Sequence, residues 1–420
     1  MDSFFSLNHE TLSAWIAARS MPRHTTDQLF DWVYRKKVAD PAQMTNLSRG
    51  VRAQLSEQML FTTARTVAHQ AASDGTNKML LSWAQQPDAP AQADAACDAT
   101  AQSVGGATGG ATGDAGGDAT GDAGGDAGRP SRKIALGLAP SSSGHTAVAR
   151  GQETECVMIP TDDRRTACIS SQLGCPVRCT FCASGIGGFE GNLTAAQIIE
   201  QVYHLTCLPK VERISHVVFM GMGEPLANYD AVTTAIRTIN APWGFGVSAR
   251  RITLSTVGLP AAIRKFCDFE IPVTLALSLH APNDALRREI IPWAEFSTID
   301  ELLDACDEWF RRAGREITLE YILLGGVNDR PEHAEELATH ALRIRANVNL
   351  IRYNEVKGMP YQRPATEDVL RFQNILRGRE VNVHIRASRG RDIAAACGQL
   401  RHEQAQGSQD AESAPKPSAR

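Results

Sequence analysis

Beyond residue 150 the chain alternates between two hydrophobic rhythms. Short apolar runs fall at Ala167–Ser170, His216–Met220, Arg251–Ser255, Val273–Leu279, Ile317–Leu324, Asn347–Tyr353 and Val381–Ile385. Between them, Thr194–Thr206, Ala231–Ile239, Ala261–Cys267, Ile299–Arg312, Pro331–Leu342 and Thr366–Leu376 have the apolar spacing of amphipathic helices. Strand–helix alternation predicts parallel strands joined by right-handed helical crossovers. Six or seven such units fall short of a closed eight-fold barrel, so the pattern predicts an α/β fold with a partial (β/α)6-type barrel. Chemistry in a barrel collects at the C-terminal ends of its strands.

The earlier chain reads differently. Residues 1–60 look helical: Thr25 and Gln28 have capping-box spacing ahead of Leu29, Phe30, Trp32 and Val33. Ser48 is a second predicted N-cap, with Leu47 before it as a staple and Val51 and Leu55 on the face behind. Residues 61–83 alternate like strands around Asp74-Gly75, a hairpin signal. From Gln85 to Arg150 the chain is dominated by Ala, Gly, Asp, Ser and Thr, with a four-residue rhythm in GDAGGDATGDAGGDAG. Such a stretch cannot build a core and predicts a disordered insertion. The expected organisation is an accessory helical domain and the start of a hairpin (1–83), the insertion (84–149), the barrel (150–401) and a polar disordered tail (402–420).

Composition adjusts this picture in two ways. Hydrophobic residues make up 43% of 420, enough for a sizeable core, yet no apolar run approaches the roughly 20 residues of a membrane span. No charged-then-apolar leader opens the chain, so ten cysteines point to a reducing cytoplasm, where thiols serve metals or catalysis more often than disulfides. The net charge of −4 is local: residues 86–131 carry −6 and residues 403–420 carry −1, leaving +3 on the remainder. A mildly basic core permits RNA binding. Arg35, Lys36, Lys37, Arg49 and Arg52 give the N-terminal unit basic faces, either solvated or in contact with RNA.

Four cysteines fall within CISSQLGCPVRCTFC, Cys168 to Cys182. Cys175, Cys179 and Cys182 have the spacing C-x3-C-x2-C. Three thiolates without a fourth ligand at matching spacing suit an iron–sulfur cluster with one iron left open; a structural zinc would need a fourth ligand, Cys168 or a distant residue. Polar residues also stand where strands give way to loops. Glu224 lies in the glycine-rich MGMGEP, Ser255 in LSTVG, Ser278 and His280 in SLHAPND, and Asn354 in NLIRYN. Singly, each reads as a turn or cap; together they could ring one ligand at a barrel mouth. Glu155 in ETECVMIP reads alone as a strand-edge acid, and Cys397 in AAACGQL as a small buried hydrophobe.

The whole set, in this order, closely resembles the RlmN/Cfr-type radical S-adenosylmethionine (SAM) RNA methyltransferases, and most closely the RlmN branch. The resemblance covers residues 150–401 strongly and 20–83 weakly. It implies a radical SAM methyltransferase acting on C2 of adenine in the peptidyl-transferase loop of 23S rRNA and in tRNA next to the anticodon. It implies that Cys175, Cys179 and Cys182 bind a [4Fe–4S] cluster, with SAM on the fourth iron. Gly223, Glu224, Ser255, Ser278, Leu279, His280 and Asn354 would line the SAM pocket. The resemblance implies two SAM molecules per turnover. One methylates Cys397; the second is cleaved to a radical that activates the S-methyl group for addition to the base. Glu155 would remove the ring hydrogen, and Cys168 would attack Cys397 to form a transient disulfide and release product. An electron donor such as flavodoxin or ferredoxin is implied, and a monomer with no membrane contact is expected.

The implied chemistry is intelligible, because C2 of adenine is neither nucleophilic nor readily deprotonated, which defeats ordinary methyl transfer. An adenine in folded RNA must also be extruded to meet the sulfur. Arg164, Arg165, Arg250, Arg251, Arg287 and Arg288 are candidates for phosphate contacts. The chain departs from the family at Asn349–Glu355, where members commonly read NLIPxNP, so the loop beside Asn354 has lost two prolines and gained two charges. Three alternatives remain at this stage: a Cfr-like enzyme methylating C8, a non-catalytic, metal-stapled RNA-binding protein, and a radical SAM enzyme acting on a small molecule.

Overall fold

The computed structural model describes residues 1–83, 152–387, 389, 390 and 393. The low-complexity insertion, the tail and Cys397 lie outside the described residues. At the N-terminus β1 (Asp2–Ser3) pairs with β2 (Met59–Leu60) around three helices. α1 (His9–Ala18) opens on a capping box in which the Asn8 side chain accepts from Thr11 N–H and Thr11 Oγ1 accepts from Asn8 N–H. α2 (Thr25–Phe30) begins after His24 without a side-chain cap. Thr25 is instead its buried first residue, so the expected Thr25–Gln28 capping box does not form. α3 (Arg49–Gln58) starts as expected, with Ser48 Oγ accepting from Val51 N–H at 3.3 Å.

The remaining elements follow as β3 (Ala64–Ala71), β4 (Asn77–Trp83), β5 (Gln152–Pro160), β6 (Arg165–Cys168), the short hairpin β7 (Gln172–Gly174) and β8 (Phe189–Asn192), then α4 (Ala195–Thr206), β9 (His216–Phe219), α5 (Tyr229–Asn240), β10 (Ile252–Thr256), α6 (Pro260–Phe266), β11 (Thr274–Ser278), α7 (Asp284–Ile290), α8 (Ile299–Ala313), β12 (Ile317–Leu323), α9 (Pro331–Arg343), β13 (Asn347–Arg352), α10 (Thr366–Gly378) and β14 (Val383–Arg386). One sheet runs β14-β13-β12-β11-β10-β9-β6-β5-β4-β3. From β6 to β14 every neighbouring pair is parallel, giving the predicted partial barrel of six strand–helix units plus a closing strand. The Asp74-Gly75 hairpin forms, with Gly75 at φ +83°. Strands β3, β4 and β5 continue the barrel sheet in antiparallel fashion, which the alternation pattern did not predict. Pairing between segments so far apart has no local signature.

The N-terminal helices dock through aromatic rings. Phe30 packs on Trp243 with centroids 4.7 Å apart, and Tyr34 on Phe245 at 4.8 Å. Two of the basic residues serve this contact: Arg35 donates to the carbonyl of Pro242 at 3.0 Å, and Lys37 Nζ donates to the carbonyl of Val211. On α4, fully buried Glu200 accepts from Thr63 N–H and Thr63 Oγ1, both at 2.6 Å, and from Ala64 N–H at 2.8 Å. Glu200→Gln removes the charge that these three donors share and is expected to lower the urea unfolding free energy by about 1–3 kcal/mol. An unchanged denaturation curve would show that the clamp contributes nothing. No helix among the described residues is long and apolar enough to cross a membrane.

Candidate active site

A cavity of about 690 Å³ opens at the C-terminal ends of the parallel strands. Its wall includes Cys175, Cys179 and Cys182, Gly223 and Glu224, Ser255, Ser278, His280 and Asn354, together with Cys168. Residues from five separate stretches therefore meet in one place. Leu279 does not join them; its side chain is fully buried in the main core.

The three-cysteine loop follows β6 and is closed by the β7–β8 hairpin, where Cys175 N–H donates to Gly188 O at 3.0 Å. The loop is tight. A Cβ on Gly174, which has φ +74°, would fall 1.8 Å from Gly188 O, and one on Gly185 would fall 2.9 Å from Arg178 Cα. Thr180 N–H donates to Ile290 O at 3.0 Å, anchoring the loop on the end of α7. Phe181 sits edge-on to the His280 ring, with centroids 5.2 Å apart. Burial pushes the Cys175 thiol up to about 12, and burial with neighbouring thiol charge also raises Cys179 well above the usual thiol value. Thiolates held this way need a cation beside them. Among the described residues no three His, Cys, Asp or Glu side chains close on a single metal ion. Three thiols lining one cavity suit a cluster in which each takes its own iron. A lone zinc requires all its ligands about 2.0–2.3 Å from one point. The donor set fits the cluster.

The turn after β9 runs against residues 169–172. Gly221 N–H donates to Ile169 O at 3.0 Å, and Ser171 N–H to Met222 O at 2.8 Å. A Cβ on Gly221 would lie 2.6 Å from Ile169 O, and one on Gly223, at φ +102°, 2.6 Å from Gln172 Cβ. The glycines of MGMGEP thus permit a close backbone approach. Glu224 is buried; its Oε1 accepts from Leu226 N–H at 3.0 Å and its Oε2 from Val257 N–H at 2.8 Å, while burial raises its pKa to about 6. Ser255 Oγ and Ser278 Oγ lie 3.0 Å apart.

His280 adopts φ +59° at the end of β11, and its Nδ1 accepts from Ile322 N–H at 3.1 Å. The neutral ring therefore carries its proton on Nε2. Burial, with the Arg287 charge second, drives its pKa from 6.5 down to about 3. Between those values the unfolded chain binds the extra proton, so stability is complete above about pH 6.5 and falls as the pH drops toward 3. His280→Gln is expected to flatten this acid limb when urea midpoints are measured across the window. An unchanged slope would exclude His280 as its source.

Glu155 is one of the best-buried polar residues and does not line the cavity. It lies on β5 two residues from Val157, which does. Its Oε2 is 2.8 Å from Lys78 Nζ, and the two side chains are 1% and 0% exposed. Ser170 Oγ donates to the Glu155 carbonyl at 2.6 Å and accepts from Met222 N–H at 2.9 Å, tying β5 to the glycine turn. Cys168 ends β6 on the cavity wall, register partner to Val157. Its thiol is raised by burial and drawn back down by Arg386, Met220 N–H and Lys78. Ala387 and Arg389 line the cavity and begin the run toward Cys397, itself outside the described residues.

Arg287 corrects the sequence reading. It is 1% exposed, donating from Nε to Leu279 O at 3.3 Å and from Nη2 to Val257 O at 2.5 Å, and therefore cannot meet an RNA phosphate. Arg250, Arg251 and Arg288 are exposed, as the phosphate reading requires. Sequence reasoning missed Lys78, Glu320 and Arg386. Lys78 and Glu320 carried a usable signal: a charge at a buried position inside an apolar strand.

Residues 169–338 match the sequence profile of the Radical SAM superfamily, and residues 3–60 that of the ribosomal RNA large subunit methyltransferase N-terminal domain. A protein of Rhodopirellula baltica, described as a probable dual-specificity RNA methyltransferase RlmN, is 48% identical over 60% of this chain and 69% of its own length. One of Thermosynechococcus vestitus with the same description is 37% identical over 94% of this chain and 96% of its own. The crystal structure of a radical SAM methyltransferase from Sphaerobacter thermophilus superposes with a TM-score of 0.76 at 33% identity, covering 95% of this chain and 99% of the other. A likeness that spans both the N-terminal domain and the barrel leaves one conclusion: the chain belongs to the RlmN family of radical SAM RNA methyltransferases.

Proposed function

We propose that this enzyme methylates C2 of adenine in the peptidyl-transferase loop of 23S rRNA and in tRNA beside the anticodon, through Cys397 and a transient Cys168–Cys397 disulfide. Cys175, Cys179 and Cys182 would hold the [4Fe–4S] cluster, and Gly223, Glu224, Ser255, Ser278, His280 and Asn354 would hold SAM, with Leu279 contributing backbone only. When bound, the cluster and SAM supply the methyl group and the one-electron chemistry that activates it, at two SAM per turnover.

The remaining steps belong to the protein. Cys397 Sγ carries the methyl carbon and presents it to the base. The Glu155 carboxylate, held by Lys78, takes the proton leaving the ring carbon. Cys168 Sγ, as thiolate, then attacks Cys397 Sγ; the new S–S bond forms as the sulfur–carbon bond breaks, and the electron pair left on carbon takes up a proton to complete the methyl group of the departing base. A reductant such as flavodoxin or ferredoxin supplies the electrons. The observation that carries this reading is the position of Cys168, on the cavity wall opposite Val157 of the Glu155-bearing strand and outside the three-thiol loop. That position suits an exchange partner reaching an incoming sulfur.

The test is mass spectrometry of nucleosides from 23S rRNA and tRNA treated with cluster-loaded enzyme, SAM and reductant. The expected product is 2-methyladenosine in both RNAs. Finding 8-methyladenosine instead would overturn the regiochemistry, and unmodified RNA the reaction itself.

A further inference from the structure

The stretch Asn349–Glu355 carries Arg352 and Glu355 where the family pattern has two prolines. Proline fixes its own φ, so without it the chain beyond β13 must be held by contacts. Residues 353–363 form a strap between β13 and α10, and its far end is pinned twice. Gly325 N–H, just past β12, donates to Gln362 O at 2.9 Å, and Tyr361 OH meets Thr180 Oγ1 of the cysteine loop at 2.6 Å. Tyr353 stands edge-on to Tyr361, with centroids 6.1 Å apart. Glu355 Oε1 accepts from Arg363 N–H at 3.2 Å, a side-chain bond that proline could not make.

The strap brings one guanidinium back to the end of β13. Arg363 Nη1 donates to Tyr353 O at 3.3 Å and to Asn354 Oδ1 at 2.7 Å. Asn354 lines the cavity; Arg363 does not. A guanidinium donates and never accepts, so it can hold only the oxygen end of an amide. The nitrogen end, Nδ2, also only donates. An amide free to turn would present either end to a ligand, whereas one held by Arg363 presents Nδ2. A side chain ordered beforehand also costs less to immobilise when the ligand arrives. Nothing in the methyl-transfer scheme uses Arg363.

We propose that Arg363 is a positioning residue, which holds the Asn354 amide so that its Nδ2 donates to an acceptor atom of SAM. This rests on the assignment of Asn354 to the SAM site above. Arg363 acts from outside the cavity, through Asn354, and the strap fixes its own backbone. Its hold on Tyr353 O adds a second grip one residue earlier, so both the amide and the backbone that carries it are set before the cofactor binds.

The test measures equilibrium binding of SAM to cluster-loaded full-length wild type, Arg363→Ala, Arg363→Lys, Asn354→Ala and the double variant Arg363→Ala with Asn354→Ala. Iron content and melting temperature confirm that each folds and loads. Asn354→Ala is expected to weaken SAM about tenfold. Arg363→Ala should weaken it about three- to tenfold, the cost of ordering one side chain on binding. Arg363→Lys, whose ammonium can still donate to Oδ1, should bind between Arg363→Ala and wild type. The double variant should bind as Asn354→Ala does, because no amide remains to be held. Undiminished SAM affinity in Arg363→Ala would overturn the proposal, and a raised KM for RNA alongside it would assign the guanidinium to the RNA. Losses that add in the double variant would overturn it too, since Arg363 would then act on its own. If wild type and Asn354→Ala bind SAM equally well, Asn354 leaves the cofactor site and the proposal falls with it. Wild-type protein that binds no SAM would instead remove the cofactor assignment itself.

Discussion

Cys168→Ala enzyme, incubated anaerobically with RNA, SAM and reductant, is expected to lose turnover and to accumulate a covalent protein–RNA adduct on a denaturing gel. The adduct should survive thiol reductants, because the bond left unresolved joins carbon to sulfur. The expectation rests on where Cys168 sits. It is 8% exposed and lines the cavity, yet it belongs to β6 and not to the loop that carries the other three thiols. Its removal should therefore leave iron content unchanged. Arg386 and Lys78 both favour its thiolate against the cost of burial, which suits a thiol that must attack sulfur. The control is Cys168→Ala combined with Cys397→Ala, where no adduct should form. Absence of any adduct in the single variant, with RNA bound and the cluster intact, would end the resolving role.

Lys78→Met should damage the protein in two ways at once. Removing one partner of a buried ion pair leaves the other charge uncompensated, at a cost of about 3–5 kcal/mol. The pair qualifies: Lys78 Nζ and Glu155 Oε2 are 2.8 Å apart, and both side chains are out of water. The two residues meet diagonally, since Leu80 is the register partner of Glu155 and Lys78 that of Val157. Urea denaturation should show the loss, and Lys78→Met with Glu155→Gln should recover much of it, since no bare charge then remains. Methyl transfer should stay absent in both variants if Glu155 accepts the ring proton. A double variant no more stable than Lys78→Met, or a Lys78→Met enzyme with normal turnover, would dissolve the coupling.

Lys78 also shows how the N-terminal part of the sheet reaches Glu155. It lies on the Asp74-Gly75 hairpin, and Asp74 Oδ2 accepts from Gly390 N–H at 2.9 Å, just before the run toward Cys397. One hairpin therefore touches Glu155 through a strand and the C-terminal segment through its turn. Its sequence, NKMLLSW, announces a strand but gives no sign of the partner strand. Alternation with period two says which residues share a face, and not what that face will meet.

The parallel strands and all six helical stretches were legible, because amphipathic periodicity is a property of adjacent residues. The three-thiol loop was legible as well, since C-x3-C-x2-C brings three thiols together within one loop. Glycines at positions 221 and 223 could be read as backbone permissiveness, although the reason, contact with Ile169 and Gln172, appears only in the fold. Thr25 misled because a capping box depends on where the helix begins; the cap position falls on His24, and Thr25 is buried as the first helical residue.

The sequence by itself therefore determined the local chemistry: the thiol triad, the strand–helix rhythm and the polar residues at the strand ends. Only the tertiary structure decided which charges are surface and which are working parts. It buried Arg287, left Glu320 half-satisfied on the cavity wall, closed Lys78 onto Glu155, and set Cys168 on that wall opposite Val157 in strand register. The physical reason is common to all four. Burial and pairing are set by strands from distant parts of the chain, and the same charged residue reads identically in sequence whether water or a carboxylate lies beside it.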